Sequence, residues 1–284
     1  MKKLVLFVLL LTFAMFSTVL ADRIEETTTK VGPDGAKSIL VECDFGAGEL
    51  TIIPKKMSDV AVLDVTYEPR KVDYDVSYEV RRDVGHLSLE SELVRHRDIE
   101  DLENDWELTL STEYPTELNL EVGACEADID LGGIPLTDLS IEIGAADGRL
   151  EWSKPNPERL KNLSIEVGAA SLVVSQLGNA NFEYMTLECG AASCELDFRG
   201  DYHGESVVDI EVGLGSIEIV VPRGLAIRIE SDDNSWFSSI DFDDLDLGRG
   251  RRGRYESDDF ETATDRLVLI LQVGMGSIDI TDRR

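Results

Sequence analysis

Six acidic side chains recur at one fixed offset in this sequence. Asp44, Glu121, Glu142, Glu166, Glu188 and Glu211 each stand two positions before a glycine, and Gln272 takes the same offset near the C-terminus. Carboxylates are oxygen ligands for divalent cations and natural partners of Lys and Arg. A row of them therefore reads as a strip for weak cation binding or for docking a basic partner. It reads equally well as a solvated face that opposes aggregation. The Gly-Gly-x-Gly-x-Asp calcium repeat is absent. A second concentration of chemistry lies at Trp236, Phe237, Arg249, Arg251, Arg252 and Arg254. The aromatic pair could stack on a sugar ring, and the arginines could clasp a phosphate, a carboxylate or an acidic glycan. Their structural alternatives are plugging an open end of the fold and neutralising the acids between Asp241 and Asp246.

The remaining reactive residues form no catalytic pattern. Cys43, Cys125, Cys189 and Cys194 include no Cys-x-x-Cys, so thiol redox chemistry and a zinc site lack local support. Cys189 and Cys194 flank one glycine and are a candidate disulfide. Cysteine also serves as a small buried hydrophobe, and the offsets of Cys43, Cys189 and Cys194 point inward. His86, His96 and His203 have no Cys, Ser or acid at metal or triad spacing and are expected at the surface. The Gly-Ala phrases lack the lysine and the helix of a phosphate loop. No enzyme, cofactor or firm metal site is expected. The formal charge of −30 disfavours nucleic acid and anionic lipid, while 43% apolar residues is ordinary for a chain with a core.

The elements that must position these residues are repeats. Leu118-Asn-Leu-Glu-Val-Gly123-Ala recurs as Leu139 to Ala145, Leu163 to Ala169, Met185 to Ala191 and Val208 to Leu214. The glycines step by 21, 24, 22 and 23 residues. Related phrases run from Val41 to Gly48 and from Leu269 to Gly276, which makes seven copies, five of them in tandem. Residues five, three and one before each glycine are apolar, the period-two pattern of a half-buried strand. Apolar residues then return four and six positions after it, as at Leu172 and Val174. The odd gap means that a bulge or corner at the glycine must turn the second half back inward. Glycine suits such a corner through positive φ or through close backbone approach. Units of 21–24 residues built this way predict an all-β chain, a parallel β-solenoid resembling a right-handed β-helix. An antiparallel sandwich of look-alike strands is the alternative.

Two segments break the period. Gly46 to Gly123 holds alternating stretches that predict an antiparallel meander, and Gly213 to Gly274 holds the Trp-Phe and Arg-rich region. Three regions follow: residues 1–21, 22–116 with the first Gly-Ala-Gly copy, and 117–284 with an insertion at 225–266. Residues 1–21 read as a secretory signal, with Lys2 and Lys3, an apolar run from Leu4 to Leu20, and small residues before Asp22. An uncleaved anchor is the alternative. Cleavage removes the two lysines and takes the charge from −30 to −32. The rest holds no apolar run long enough to span a bilayer, so an exported protein, periplasmic or extracellular, is expected. Asn162-Leu-Ser is a glycosylation triplet at the start of an expected strand.

Phe45-Gly-Ala-Gly-Glu-Leu-Thr-Ile and Ile210-Glu-Val-Gly-Leu-Gly-Ser-Ile-Glu-Ile-Val-Val-Pro222 carry a family resemblance. The chain resembles the toast-rack family of bacterial envelope proteins and, more distantly, the C-terminal domain of LiaF, the cell-wall-active antibiotic response protein. The resemblance implies a rack of short strands and a link to envelope stress, and it carries no catalytic residues with it. The expected function is a non-enzymatic binding or scaffold module of the cell envelope, with an unknown envelope protein, a glycan or a weakly held divalent cation as partner. An adhesin or self-assembling surface protein is one alternative, and a polysaccharide-active β-helix enzyme is another.

Overall fold

The computed structural model describes residues 24–94, 102–231, 238–242, 245–250 and 253–283. The candidate signal at 1–21 lies outside them, as do His96, Trp236, Phe237, Arg251 and Arg252. The chain is all-β. Its strands are β1 (Glu25–Val31), β2 (Ser38–Lys55), β3 (Ala61–Tyr67), β4 (Val72–Arg81), β5 (Val84–Leu93), β6 (Asn104–Ser111), β7 (Thr116–Asp130), β8 (Leu136–Ile143) and β9 (Asp147–Glu151). They continue as β10 (Leu160–Val167), β11 (Ser171–Ser175), β12 (Phe182–Asp197), β13 (Glu205–Pro222), β14 (Ala226–Ser231), β15 (Ser238–Asp241), β16 (Gly248–Arg249), β17 (Arg254–Glu256) and β18 (Arg266–Arg283). One 3-10 turn, Leu177–Ala180, lies between β11 and β12.

Copies of the repeat pair in parallel, position on position. Leu118, Leu139, Leu163, Met185, Val208 and Leu269 follow one another in register through β7, β8, β10, β12, β13 and β18. The columns two and four residues further on are equally apolar. All three columns point into a single core, in which Leu118, Leu163, Ile165, Leu187 and Ile210 are each at most 1% exposed. Each such side chain contributes about 1.5–3 kcal/mol by leaving water. After the glycine the buried positions change parity, and Ala127, Ile129, Leu172, Val174, Cys194 and Leu196 complete the core.

At the parity change the strand bends, and β2, β7, β12, β13 and β18 pass through the bend without a break. None of the repeat glycines has a positive φ, so left-handed backbone is not why they are there. Stacking is. A Cβ added at Gly168 would lie 2.7 Å from the carbonyl oxygen of Gly144, one at Gly190 2.9 Å from that of Gly168, and one at Gly213 2.9 Å from that of Gly190. Hydrogen bonds carry the pairing round the bend. Gly144 N–H donates to the Val122 carbonyl at 2.8 Å and Ala145 N–H to that of Gly123 at 2.9 Å, and Gly168 and Ala169 repeat both bonds one copy later. Positive φ belongs to the second glycine of Gly-x-Gly, at Gly48 (+126°) and Gly215 (+151°).

The structure holds two copies that lack the glycine phrase. β5 and β6 lie along the two halves of β2, with Leu87 on Val41, Leu89 on Cys43, Trp106 on Leu50 and Leu108 on Ile52. β14 and β15 do the same on β18, with Ile227 on Leu267, Ile229 on Leu269 and Ile240 on Ile278. Both period-breaking segments thus supply the outermost copies, and the first and last glycine copies lie one step inside them. The expected antiparallel meander is the outer layer at the first end, where β3 pairs with β6, β1 with β3, and β4 with β5. Trp106 packs edge-on against Phe45 and Tyr74, at ring distances of 5.4 and 5.9 Å. At the other end Arg228 lies 3.8 Å over the Phe260 ring and bonds Glu256 and Glu261.

Buried asparagines tie the returns together. Asn156 accepts from Leu136 N–H and donates to the Leu136 and Ala180 carbonyls. Asn179 donates to the Trp152 carbonyl and accepts from Asp201 N–H. Each bond reaches a neighbouring return about one repeat away, which satisfies backbone groups that would otherwise be buried unpaired.

Gly123→Ala places its methyl inside contact distance of the Gly46 carbonyl. Overpacking of this kind costs about 1–3 kcal/mol. Gly144→Ala, with 3.1 Å to the same group one copy on, is expected to cost less. Urea unfolding of both variants checks the order; an unchanged Gly123→Ala midpoint contradicts the close stacking.

Candidate functional site

Parallel register turns the recurring acids into a column. Asp44 pairs with Glu121, Glu121 with Glu142, Glu142 with Glu166, Glu166 with Glu188, and Glu188 with Glu211; Gln272 follows. Each lies between two inward apolar residues, so strand alternation points it outward. All six acids are exposed, and among the described residues none makes an ion pair. Asp44, Glu121, Glu142, Glu166 and Glu188 line a shallow groove of about 440 Å³ floored by the glycines. The column also has a member that the sequence pattern missed. Glu90 of β5 pairs with Asp44 and continues the row. No glycine follows it two positions later, so the repeat phrase could not mark it; its place opposite Asp44 comes only from the β2–β5 pairing.

The far side of the bend carries a second acidic row. Asp105, Glu49, Glu126 and Asp147 stand in register, and Ser171, Ser193, Ser216 and Ser277 continue it. Glu49, Glu126, Asp128, Asp147 and Arg149 line a groove of about 470 Å³. Between the two rows runs an exposed ridge of small side chains, Ala124, Ala145, Ala169 and Ala191, which ends on Leu214 paired with Met275, each 54% exposed. Among the described residues no cluster of three or more His, Cys, Asp or Glu has the geometry of a metal site.

The other candidates are spread over the molecule. Arg249 lies in β16. Arg254, in β17, turns to Glu256 at 3.2 Å and to Glu230 at 3.8 Å. His86 is half-buried in β5, and His203 is exposed in a return. Burial pushes the Cys43 and Cys125 thiols each up to about 12. Cys189 and Cys194 face each other inside the bend of β12, both 3% exposed, and their sulfurs share a hydrogen bond. That bond holds the Cys194 thiol below its usual value, while the same bond and burial push Cys189 up. Among the described residues no helix is long and apolar enough to cross a membrane.

Asp105 has its carboxyl raised above the usual range, chiefly by burial and then by Glu49 and Glu103. An acid raised on folding binds its proton more tightly in the native state. Its stabilising contribution is therefore present below the unfolded value, about 4, and is lost as pH rises through the raised one. Asp105→Asn is expected to melt higher than the parent at pH 7 and to lose that advantage below about pH 4. Thermal denaturation at both pH values checks this; a lower melting point at pH 7 contradicts it.

Comparison with known proteins places this architecture. Residues 20–175, more than half of the chain, match the family model for the N-terminal domain of toast_rack. Residues 176–280 match the model for the cell wall-active antibiotics response protein LiaF, C-terminal. No curated protein matches the chain. Among solved structures, a "putative cell adhesion protein" from Clostridium sporogenes aligns over 92% of this chain and 100% of its own, at 17% identity and a TM-score of 0.46. A "putative adhesin" from Bacteroides fragilis aligns over 92% and 98%, at 9% identity and 0.37. A "putative lipid binding protein" from Parabacteroides distasonis aligns over 92% and 97%, at 11% identity and 0.33. The two family models together run from residue 20 to residue 280, and the chain belongs to the toast-rack family.

Proposed function

We propose that this chain is an exported, non-enzymatic binding or scaffold module of the cell envelope, a rigid β-solenoid rack that presents its carboxylate column to a basic partner. The observation that carries the reading is the unbroken register from Glu90 through Asp44 to Glu211, which sets seven carboxylates on one straight exposed row. Parallel pairing of successive copies supports the solenoid description. The distinctive residues of each copy are occupied in building core and bend, which supports a scaffold over an enzyme. The N-terminal basic and apolar run supports export. The match of residues 176–280 to the LiaF C-terminal model supports a role in the envelope's response to wall damage.

A row of this kind favours partners with repeated cationic groups, and weakly held divalent cations would compete for it. Neighbouring carboxylates about 5 Å apart in water repel by roughly 0.8 kcal/mol, so the row stands without a ligand and gains when a cation relieves it. Surface charge pairing is screened by salt, so the interaction is expected to weaken steeply with ionic strength.

Immobilised chain is expected to retain polylysine, with calcium competing for it. Glu142→Gln/Glu166→Gln/Glu188→Gln should weaken that binding about tenfold, equivalent to ~1.4 kcal/mol. Glu26→Gln/Glu117→Gln/Glu183→Gln removes the same charge from exposed positions off the column and should weaken it much less. Equal losses in the two triple variants would reject the column as the docking surface.

A further inference from the structure

We propose that Cys189 and Cys194 form a disulfide that staples the bend of β12. The two residues occupy the positions one before and four after Gly190. In the neighbouring copies these positions are buried as well, with Val167 and Leu172 in register on one side and Val212 and Ile217 on the other. The β12 copy alone carries sulfur at both. The two Sγ atoms lie 3.0 Å apart. Non-bonded heavy atoms in ordinary packing contact settle at about 3.5–4.0 Å. A disulfide needs about 2.05 Å, so a small swing of each side chain completes the bond.

The surroundings favour this pairing over any other. The in-register neighbours of Cys189 are Val167 and Val212, and those of Cys194 are Leu172 and Ile217, so neither meets a further sulfur across the sheet. Cys43 and Cys125 belong to β2 and β7, several copies away. The residues enclosed by the bridge, Gly190, Ala191, Ala192 and Ser193, are all small, so nothing bulky obstructs a tight ring. Both thiols are nearly inaccessible in the folded chain, which places the chemistry before the bend is covered.

The step is a thiol–disulfide exchange with a small-molecule disulfide such as oxidised glutathione. One cysteine thiolate attacks the oxidant, forming a mixed disulfide and releasing one glutathione thiolate. The second cysteine thiolate then attacks the protein sulfur of that mixed disulfide and releases the other. Two cysteine thiols are oxidised to one disulfide, one glutathione disulfide is reduced to two thiols, and the two cysteine protons end on the released thiolates. Once buried, the bridge is shielded from reductants, so it is a structural staple and not a switch.

The test refolds the reduced, denatured chain with oxidised glutathione, blocks free thiols with N-ethylmaleimide in denaturant, and digests it with trypsin without reduction. Cys189 and Cys194 share one tryptic peptide, Asn162 to Arg199. It is expected unblocked and about 2 Da lighter than the dithiol, the mass of two hydrogens lost on bridging. The peptides of Cys43 and Cys125 should each carry one maleimide. A peptide with both cysteines blocked, or a link from either one to Cys43 or Cys125, overturns the proposal. Cys189→Val/Cys194→Val serves as a packing control: adding reductant during refolding should lower the melting temperature of the parent by a few degrees and leave this variant unmoved.

Discussion

The regularity of this molecule rests on one backbone contact. At each bend the carbonyl oxygen of one glycine occupies the space that a Cβ would need in the next copy, 2.7–3.1 Å away between Gly123 and Gly274. Hydrogen-bonded strands must lie about 4.8 Å apart along their whole length. A side chain at the bend would hold successive copies apart there while they remained paired on either side. Glycine at that position lets the hydrogen bonds continue round the bend, as the Gly144, Ala145, Gly168 and Ala169 N–H groups show.

Once the copies are locked at that contact, every other position is locked with them. A residue type repeated in sequence becomes a column in space. Inward, this gives ribbons of Leu, Ile and Val in which like packs on like. Outward, it gives the carboxylate row. The same constraint bears on Cys189 and Cys194, which flank the bend of β12 and meet inside it. The outermost copies, β5 with β6 and β14 with β15, lack the glycine phrase and pair with a repeat copy on one side only.

Most of the inner rack was legible in the sequence because it is local. The glycine spacing, the period-two pattern and the change of parity predicted buried positions that the structure bears out at Val167, Leu172 and Val174. Three features were not legible. The glycines serve close approach alone, and distinguishing that from positive φ requires the neighbouring copy. The order of stacking departs from the order of the chain: β5 and β6 follow β2 in sequence yet lie outside it, away from β7. Nothing in Leu87-Ser-Leu-Glu90 announces that partner, so the repeat pattern does not mark Glu90. The asparagine bonds at Asn156 and Asn179 span returns with no common phrase, and their role appears only when the returns are stacked.

A straight acidic row requires both the parallel register and the outward displacement of the β5–β6 copy, and one distance reports on both. Spin labels on Glu90→Cys and Glu211→Cys, in a background with Cys125→Ala, can be measured by double electron–electron resonance. Six steps of about 4.8 Å separate the two positions, so a narrow distribution centred near ~29 Å, broadened by the label arms, is the expected result. Stacking in chain order would shorten it to about 24 Å, and a broad distribution or one far from either value would contradict the parallel rack itself.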